Sequence, residues 1–334
     1  MSNKNVAERD VDDLARSIAG GDRVALARGI TLVESRRPGD RLQAERLIEL
    51  LLPRTGRALR VGLSGVPGVG KSTLIERLGC QLVDDGHRVA VLAVDPSSTV
   101  SGGSILGDKA RMNRLAQRPG AFIRPSPSAA NLGGVTRRTR EALHLCEAAG
   151  FDTVLVETVG VGQSETAVRD LVDTFVLLLL PGAGDELQGI KKGIVELADV
   201  VAVNKADGDG AQRAKTAQSE VEAALTYQRM RPDRWSVPTL LVSGLTGDGL
   251  DRLWAAIVAH RANLEATGQL ERRRGEQRAT WFADEVDERL RAAFWAQPDV
   301  AKKWPAMQAR VRAGEISVGA AAREILGLLL GGRP

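Results

Sequence analysis

Aromatic residues are scarce in this chain, only 3% of 334 residues, with Tyr227 the single tyrosine. That scarcity argues against a stacking platform for single-stranded nucleic acid. A surplus of one charge sign is also lacking: 46 Lys and Arg against 42 Asp and Glu leave a net +4. The cations are mostly arginines scattered along the chain, so no nucleic-acid partner is expected. Two cysteines, Cys80 and Cys146, cannot build a disulfide framework and read as reduced, buried thiols. Three dispersed histidines, His87, His144 and His260, give little to a metal cluster. His144 and Cys146, two positions apart, would point ~200° away from each other on a helix. Apolar runs such as Phe175–Leu180 fall far short of the ~20 residues of a membrane helix. The polar stretch Met1–Asp13 does not resemble a secretion signal. The expectation is a soluble cytoplasmic chain without a membrane partner.

Periodicity divides the chain into three zones. Residues 1–56 read as a helical N-terminal extension, with helices over Val11–Ala19, Arg23–Glu34 and Arg41–Leu52. Asp40 is a candidate N-cap for the third, with Leu42, Leu47, Leu51 and Leu52 as its apolar stripe. Residues 57–265 alternate short apolar runs with helical patterns. Candidate strands are Ala58–Ser64, Arg88–Val94, Thr153–Glu157, Asp173–Leu180, Val200–Asn204 and Thr239–Ser243. Continuously apolar strands of this kind belong to a mostly parallel sheet covered by helices on both faces, an α/β fold. Residues 266–334 return to helix as a C-terminal arm, where Glu271–Arg274 reads as a solvated helix face or a bend.

The most informative string is Gly65-Val66-Pro67-Gly68-Val69-Gly70-Lys71-Ser72, between a strand-like run and a helical one. It fits the phosphate-binding loop of P-loop NTPases. The glycines let the backbone close around phosphate oxygens, and amides at the helix start, through Thr73, donate to the anion. Lys71 brings a point charge to the β- and γ-phosphates, and the Ser72 hydroxyl is a ligand for Mg²⁺. Mg²⁺ also needs carboxylates. Asp95 and Glu157 each close a candidate strand, where ligands gather in parallel sheets; a helix N-cap or a solvated strand end is the plainer reading of either. Gly160, three residues after Glu157, can offer its amide to a γ-phosphate, so that phosphate loss releases the loop.

Asn204-Lys205-Ala206-Asp207, directly after a buried-strand pattern, selects the base. A carboxylate at Asp207 accepts from guanine N1–H and the 2-amino group, and adenine offers neither donor there. Asn204 and Lys205 brace and cover, and Ser243-Gly244-Leu245 can present backbone N–H to guanine O6. An Asx-turn at a strand end is the alternative for an isolated string of this kind. The nucleotide is therefore read as GTP and GDP.

Together with Asp95-Pro96-Ser97-Ser98, Gly102–Met112 (G-G-S-I-L-G-D-K-A-R-M) and Glu157-Thr158-Val159-Gly160-Val161-Gly162-Gln163-Ser164-Glu165, these motifs resemble the MeaB/MMAA-type GTPases, also labelled ArgK or LAO/AO transport ATPase. The resemblance covers nearly the whole chain. It implies a P-loop GTPase domain with a helical C-terminal dimerisation arm. It also implies a homodimer that chaperones an adenosylcobalamin-dependent acyl-CoA mutase, most often methylmalonyl-CoA mutase, gating cofactor delivery and protecting the enzyme. The same resemblance places Asp95, Asp108 and Glu157 with Ser72 around Mg²⁺, and makes the segments around 97–112, 157–165 and 181–191 switches, with Lys191 reaching the nucleotide. Read alone, the glycine-bearing stretch 181–191 is equally an ordinary strand-to-helix loop.

Hydrolysis is the least specified step. Val161, not glutamine, follows Gly160, and Gln163 lies two residues on, where it reads either as a water-positioning group or as a solvated loop residue. Slow intrinsic hydrolysis, accelerated by a partner that orders the switches, is the expectation, with Lys109 and Arg111 as further candidate charge stabilisers. A metallochaperone GTPase and a nucleotide-dependent scaffold with negligible turnover are the competing functions. In the arm, Trp281, Phe282, Val286, Leu290, Phe294 and Trp295 recur at helical spacing, as a core stripe or a dimer contact.

Overall fold

The computed structural model describes residues 3–35, 37–94, 112–124, 132–158, 164–182, 192–226 and 235–328. Two compact units emerge, Met1–Arg274 and Gly275–Pro334.

The first unit is built on a seven-stranded sheet: β1 (Leu59–Gly65), β2 (Val89–Val94), β3 (Ala121–Arg124), β4 (Thr153–Thr158), β5 (Thr174–Leu179), β6 (Val200–Val203) and β7 (Thr239–Leu241). Strand order is β3-β2-β4-β1-β5-β6-β7, and every pairing is parallel. All six expected strands are present. β3 is an addition at the edge, too short at four residues to stand out by pattern. The strands β2, β4, β5 and β6 are buried along their full length, which is why they read as apolar runs rather than alternations.

The period of two within β1 sorts the two faces. Val61 and Leu63 point to a core shared with Leu74, Ile75 and Leu78 of α4 (Lys71–Asp84) and Leu253 and Ile257 of α10 (Leu250–Ala266). Gly62 points the other way, onto α7 (Ser164–Arg169); a Cβ there would stand 2.8 Å from Val168 Cγ1. α6 (Leu132–Ala148) covers the same face over β2 and β4. The single turn α5 (Asn113–Ala116) packs on α4, with Leu115 in the core on that side, while α8 (Lys192–Leu197) lies against β5 and α9 (Ala211–Thr226) against β6 and β7.

At the N-terminus, α1 (Asn3–Ala19), α2 (Arg23–Glu34) and α3 (Pro38–Leu51) pack on one another and on α6. Ile18, Leu26, Ile30 and Leu47 are fully buried there. Asp22 caps α2, accepting from the Val24 and Ala25 amides at 2.7 and 3.1 Å. The third helix departs from expectation: it starts at Pro38, whose missing N–H suits a first turn, and Asp40 sits inside that turn instead of capping it. Ser35 Oγ donates to Asp40 Oδ2 at 2.5 Å. Leu47 and Leu51 are buried as expected, but Leu42 and Leu52 are exposed.

The stretch Glu271–Arg274, expected to be a solvated helix face or a bend, opens α11 (Gln269–Trp295): Glu271 and Arg272 are exposed, but Arg273 and Arg274 turn inward as a clamp. Arg274 is buried and grips Asp173 through both carboxylate oxygens, at 2.8 and 2.7 Å. Arg261 of α10 adds a bond to the same carboxylate at 2.8 Å, and the Arg60 amide another at 3.1 Å. Arg273 and Arg169 both approach Asp199 at 3.4 Å. Arg60 and Glu147 form a second buried pair at 2.8 and 2.9 Å. Burial alone would raise the Glu147 carboxyl, but neighbouring His144, the Arg60 guanidinium and the Gly56 amide hold it at about 2.

The second unit holds the rest of α11, α12 (Pro298–Arg312) and α13 (Val318–Gly327), with a small core of Val300, Met307, Ala321 and Ile325. Of the aromatic stripe, Trp281 is buried, whereas Phe282, Val286, Leu290 and Trp295 are exposed. Among the described residues no helix is long and apolar enough to cross a membrane.

His260 gives the first unit a pH dependence. Its Nδ1 lies 2.9 Å from Thr174 Oγ1, and burial, reinforced by Arg273 and Arg169 against the opposing Asp199, brings it down to about 4. The unfolded chain, with this group near its ordinary 6.5, takes up the proton first as pH falls. The stability that neutral His260 contributes is thus complete above pH ~6.5 and shrinks by about 3 kcal/mol on approaching pH ~4. Urea unfolding between pH 7 and 4 is expected to show this slope, and His260→Gln to flatten it; an unchanged slope in the variant refutes the assignment.

Candidate functional site

The site lies at the carboxyl edge of the sheet, where β1, β4, β6 and β7 end. β1 runs into the loop Gly65–Gly70, and α4 begins at Lys71. Gly70 occupies the N-cap with φ 94°, a left-handed conformation that side chains resist, and a Cβ there would lie 2.7 Å from Asn204 Nδ2. Gly68 also has positive φ, 79°. The resulting turn aims the unshared amides at the start of α4 into the loop, as anion binding requires. Lys71 is buried at 7% exposure, and its Nζ donates to Gly65 O at 2.7 Å and Val66 O at 3.3 Å. The ammonium is therefore held by carbonyls of the loop whose phosphates it would meet.

Ser72 and Glu157 come together although 85 positions separate them: Ser72 Oγ donates to Glu157 Oε1 at 2.8 Å. The strand register causes this, since Glu157 stands opposite Leu63 on one side and Ala93 on the other. Glu157 is 4% exposed. A hydroxyl and a buried carboxylate at this separation are a hard-oxygen donor pair, and they fit a magnesium ion at the rim of the phosphate loop. Next to them Thr158 Oγ1 donates to Ser64 Oγ at 3.1 Å, a contact that sequence reading did not supply.

The base loop joins the phosphate loop through Asn204. Its Nδ2 donates to Val69 O at 2.7 Å, and its Oδ1 accepts from the Gly244 amide at 2.9 Å. Lys205 has φ 58°, the single non-glycine residue with positive φ among those described, and its stem passes over Gly70. Asp207 is half-buried, and among the described residues nothing donates a hydrogen bond to its carboxylate. Both oxygens remain open for the paired donors of guanine.

The strand-end segment 243–245 is more selective than its sequence suggests. The Ser243 amide donates to Asp248 O and the Gly244 amide to Asn204, both at 2.9 Å. Ser243 Oγ is taken by the Thr246 amide at 3.1 Å. Leu245 N–H, with no acceptor among the described residues, is the one left to face a base oxygen. Asp95, Asp108, Gly160, Gln163 and Lys191 lie outside the described residues, as do Lys109 and Arg111.

The residues a metallochaperone would need are not gathered. Cys80 sits on α4 and Cys146 on α6, and burial pushes both thiols up, away from the thiolate that binds metal. Among the described residues no three His, Cys, Asp or Glu side chains converge.

Comparison with known proteins places this geometry. The family model described as methylmalonyl-CoA mutase-associated GTPase MeaB matches residues 26–299. A relative from Caulobacter vibrioides is 56% identical over 317 residues, covering 95% of this chain and 97% of that protein. The mouse protein named methylmalonic aciduria type A homolog, mitochondrial, is 45% identical over 329 residues, covering 96% of this chain and 79% of its own. A crystal structure described as LAO/AO transport system kinase superposes with a TM-score of 0.74 at 36% identity, over 97% of this chain and 98% of the other. The expected P-loop α/β fold with a parallel sheet stands.

Two outcomes follow from the geometry. Asp207→Asn replaces an acceptor by a donor facing guanine, so GDP affinity is expected to fall roughly a hundredfold. Xanthosine diphosphate, with an oxygen at that position, should bind better than GDP, and calorimetry of both ligands decides it. Glu157→Gln keeps the shape but removes the charge beside Ser72; the Mg²⁺ needed for half-maximal GTP binding should rise by about tenfold or more, whereas an unaltered Mg²⁺ titration would remove Glu157 from the metal set.

Proposed function

This chain belongs to the MeaB family of GTPases, and we propose that it is the guanine-nucleotide-driven chaperone of an adenosylcobalamin-dependent acyl-CoA mutase, methylmalonyl-CoA mutase by preference. The observation that carries this reading is the family match across residues 26–299, which spans the nucleotide site and reaches into the second unit. The nucleotide state is the signal, and cofactor delivery and protection of the mutase are the work.

The residues divide the GTPase chemistry among them. Amides of Gly68, Gly70, Lys71, Ser72 and Thr73 cradle the β-phosphate, and Lys71 turns from its loop carbonyls to the β- and γ-phosphates. Asp207 and the Leu245 amide read guanine, Lys205 covers it, and Asn204 fixes the spacing between the base and phosphate loops. Ser72 and Glu157, with Asp95 and Asp108 by the family's pattern, would hold Mg²⁺. Held there, the ion would supply positive charge against the phosphate oxygens. Gly160 senses the γ-phosphate, Gln163 orients the attacking water, and Lys191 adds charge at the nucleotide.

The protein works as a homodimer in the cytoplasm. Phe282, Val286 and Leu290 recur every four residues along α11 and are exposed, with Trp295 beyond them. Such a stripe on a helix suits a second copy of the same surface. A scaffold with negligible turnover is the second reading, favoured by Val161 in the place where Ras-like GTPases carry glutamine.

The test is single-turnover GTP hydrolysis with and without purified methylmalonyl-CoA mutase, together with co-elution in a non-hydrolysable GTP analogue and in GDP. Expected are nucleotide-dependent co-elution and hydrolysis accelerated by roughly tenfold or more, about 1.4 kcal/mol off the barrier. Co-elution without acceleration selects the scaffold. Absence of both effects overturns the mutase reading and leaves the nucleotide site standing.

A further inference from the structure

At the amino edge of the sheet, the end away from the nucleotide site, a cleft of about 600 Å³ opens within the first unit. It lies where α1 and α6 end and where β1, β2 and β4 begin. Three guanidinium groups line it, those of Arg54, Arg57 and Arg88. None of the three side chains meets a carboxylate among the described residues. Arg54 reaches only the carbonyl of Ala19, at 3.4 Å. The Arg88 guanidinium lies over the ring of Phe151, 4.9 Å from its centroid.

The two carboxylates in the wall are already engaged. Glu147 is bound to Arg60 and to the Gly56 amide. Asp152 accepts from the Arg88 amide at 2.9 Å and Thr153 Oγ1 at 2.8 Å, and meets His87 Nδ1 at 3.1 Å. The three arginines thus face the cleft with no anion among the described residues to answer them.

The cations are also held in place. Arg57 follows Gly56, whose N–H donates to Glu147 at 2.8 Å and whose carbonyl accepts from Arg274, so the turn is pinned from both sides. Arg88 passes beside Gly21 and Gly150, both with positive φ; a Cβ at Gly150 would stand 2.7 Å from its Nη1 and one at Gly21 3.3 Å from its Nη2. Three separate cations exceed what a single carboxylate needs and match the charge of a diphosphate, whose oxygens accept the forked guanidinium donors. Pro53, Ala58, Ala148 and Phe151 add apolar wall, and the volume lies within the range of small-molecule sites.

We propose that this cleft binds a diphosphate-bearing small molecule of nucleotide size through Arg54, Arg57 and Arg88, at a site separate from the GTP site. The ligand's phosphates sit among the guanidinium groups and its body rests on the apolar wall. The site is independent of the mutase reading, since no residue is shared with the phosphate loop or the base loop.

The test is calorimetry on the full-length protein with its nucleotide site saturated with GDP and Mg²⁺. The probes are inorganic pyrophosphate, ADP and adenosine. Expected is one further equivalent of pyrophosphate or ADP bound and no adenosine bound. Arg57→Gln and Arg88→Gln should each weaken that binding by about tenfold, with GDP affinity unchanged. Arg57 is exposed and bonds to no described residue, so its variant is expected to fold as the parent does. No binding to the GDP-loaded protein, binding undiminished in the double variant, or adenosine binding equal to that of ADP would each overturn the proposal. So would a lowered melting temperature in the variants with no anion dependence, because that outcome makes Arg57 and Arg88 structural residues only.

Discussion

The nucleotide site depends on one amide, that of Asn204. It donates to the phosphate loop at Val69 and accepts from the base loop at Gly244, so a single planar group sets the distance between the two ends of a nucleotide. Asn204 is buried at 2% exposure, and either bond left unmade strands a polar atom out of water at a cost of about 1–3 kcal/mol. Aspartate would lack the donor. Glutamine would push a methylene toward Gly70, where even a Cβ on the glycine side would stand 2.7 Å from the amide nitrogen. Glycine at 70 and asparagine at 204 are thus one requirement in two places.

The amino edge is held by a different kind of bond. Asp173 is fully buried and is met by Arg274, Arg261 and the Arg60 amide, and Glu147 is met by Arg60 and the Gly56 amide. Such pairs add little net stability compared with apolar packing, because both charges lose their water. Their value here lies in register. Arg274 ties the first turns of α11 to the start of β5 and, through Gly56 and Ala58, to the approach of β1. A misplaced helix would leave a carboxylate charged and dry, an error costing several kcal/mol, whereas an apolar contact tolerates a slip.

These two edges explain which parts of the fold were legible in the sequence. The phosphate loop and the base string are contiguous, with spacing fixed by the atoms they bind, so their residues could be named before any coordinates. The buried strands were legible because continuous apolar runs have one architectural use in a parallel sheet, and β3 escaped because four residues carry too little pattern. Within Glu271–Arg274, a solvated face at Glu271 and Arg272, the inward turn of Arg273 and Arg274 was not legible because their counter-ions, Asp199 and Asp173, lie some distance back in the chain, and charge patterning sees only neighbours. Asp40 was misread as a cap because an acid before a helical stripe also fits the first turn, and Pro38 decides between the two. The division of labour among Ser243, Gly244 and Leu245 is a matter of which amide already has an acceptor, and sequence does not record that.

The same contrast separates ligand chemistry from folding chemistry in this molecule. At the carboxyl edge Asp207 and the Leu245 amide have no partner among the described residues, so hydrogen-bonding capacity is kept there for something outside the chain. At the amino edge Asp173, Asp199 and Glu147 spend theirs on Arg60, Arg169, Arg261, Arg273 and Arg274. Arg57 and Arg88 break that pattern: they stand among satisfied ions with no carboxylate on their own guanidinium groups among the described residues. A chain that has matched its buried charges so closely leaves surface cations unmatched at little cost where water serves them. In a cleft, between glycines that keep space for one of them and on a turn pinned to carry the other, the same vacancy is a reason to look for an anion.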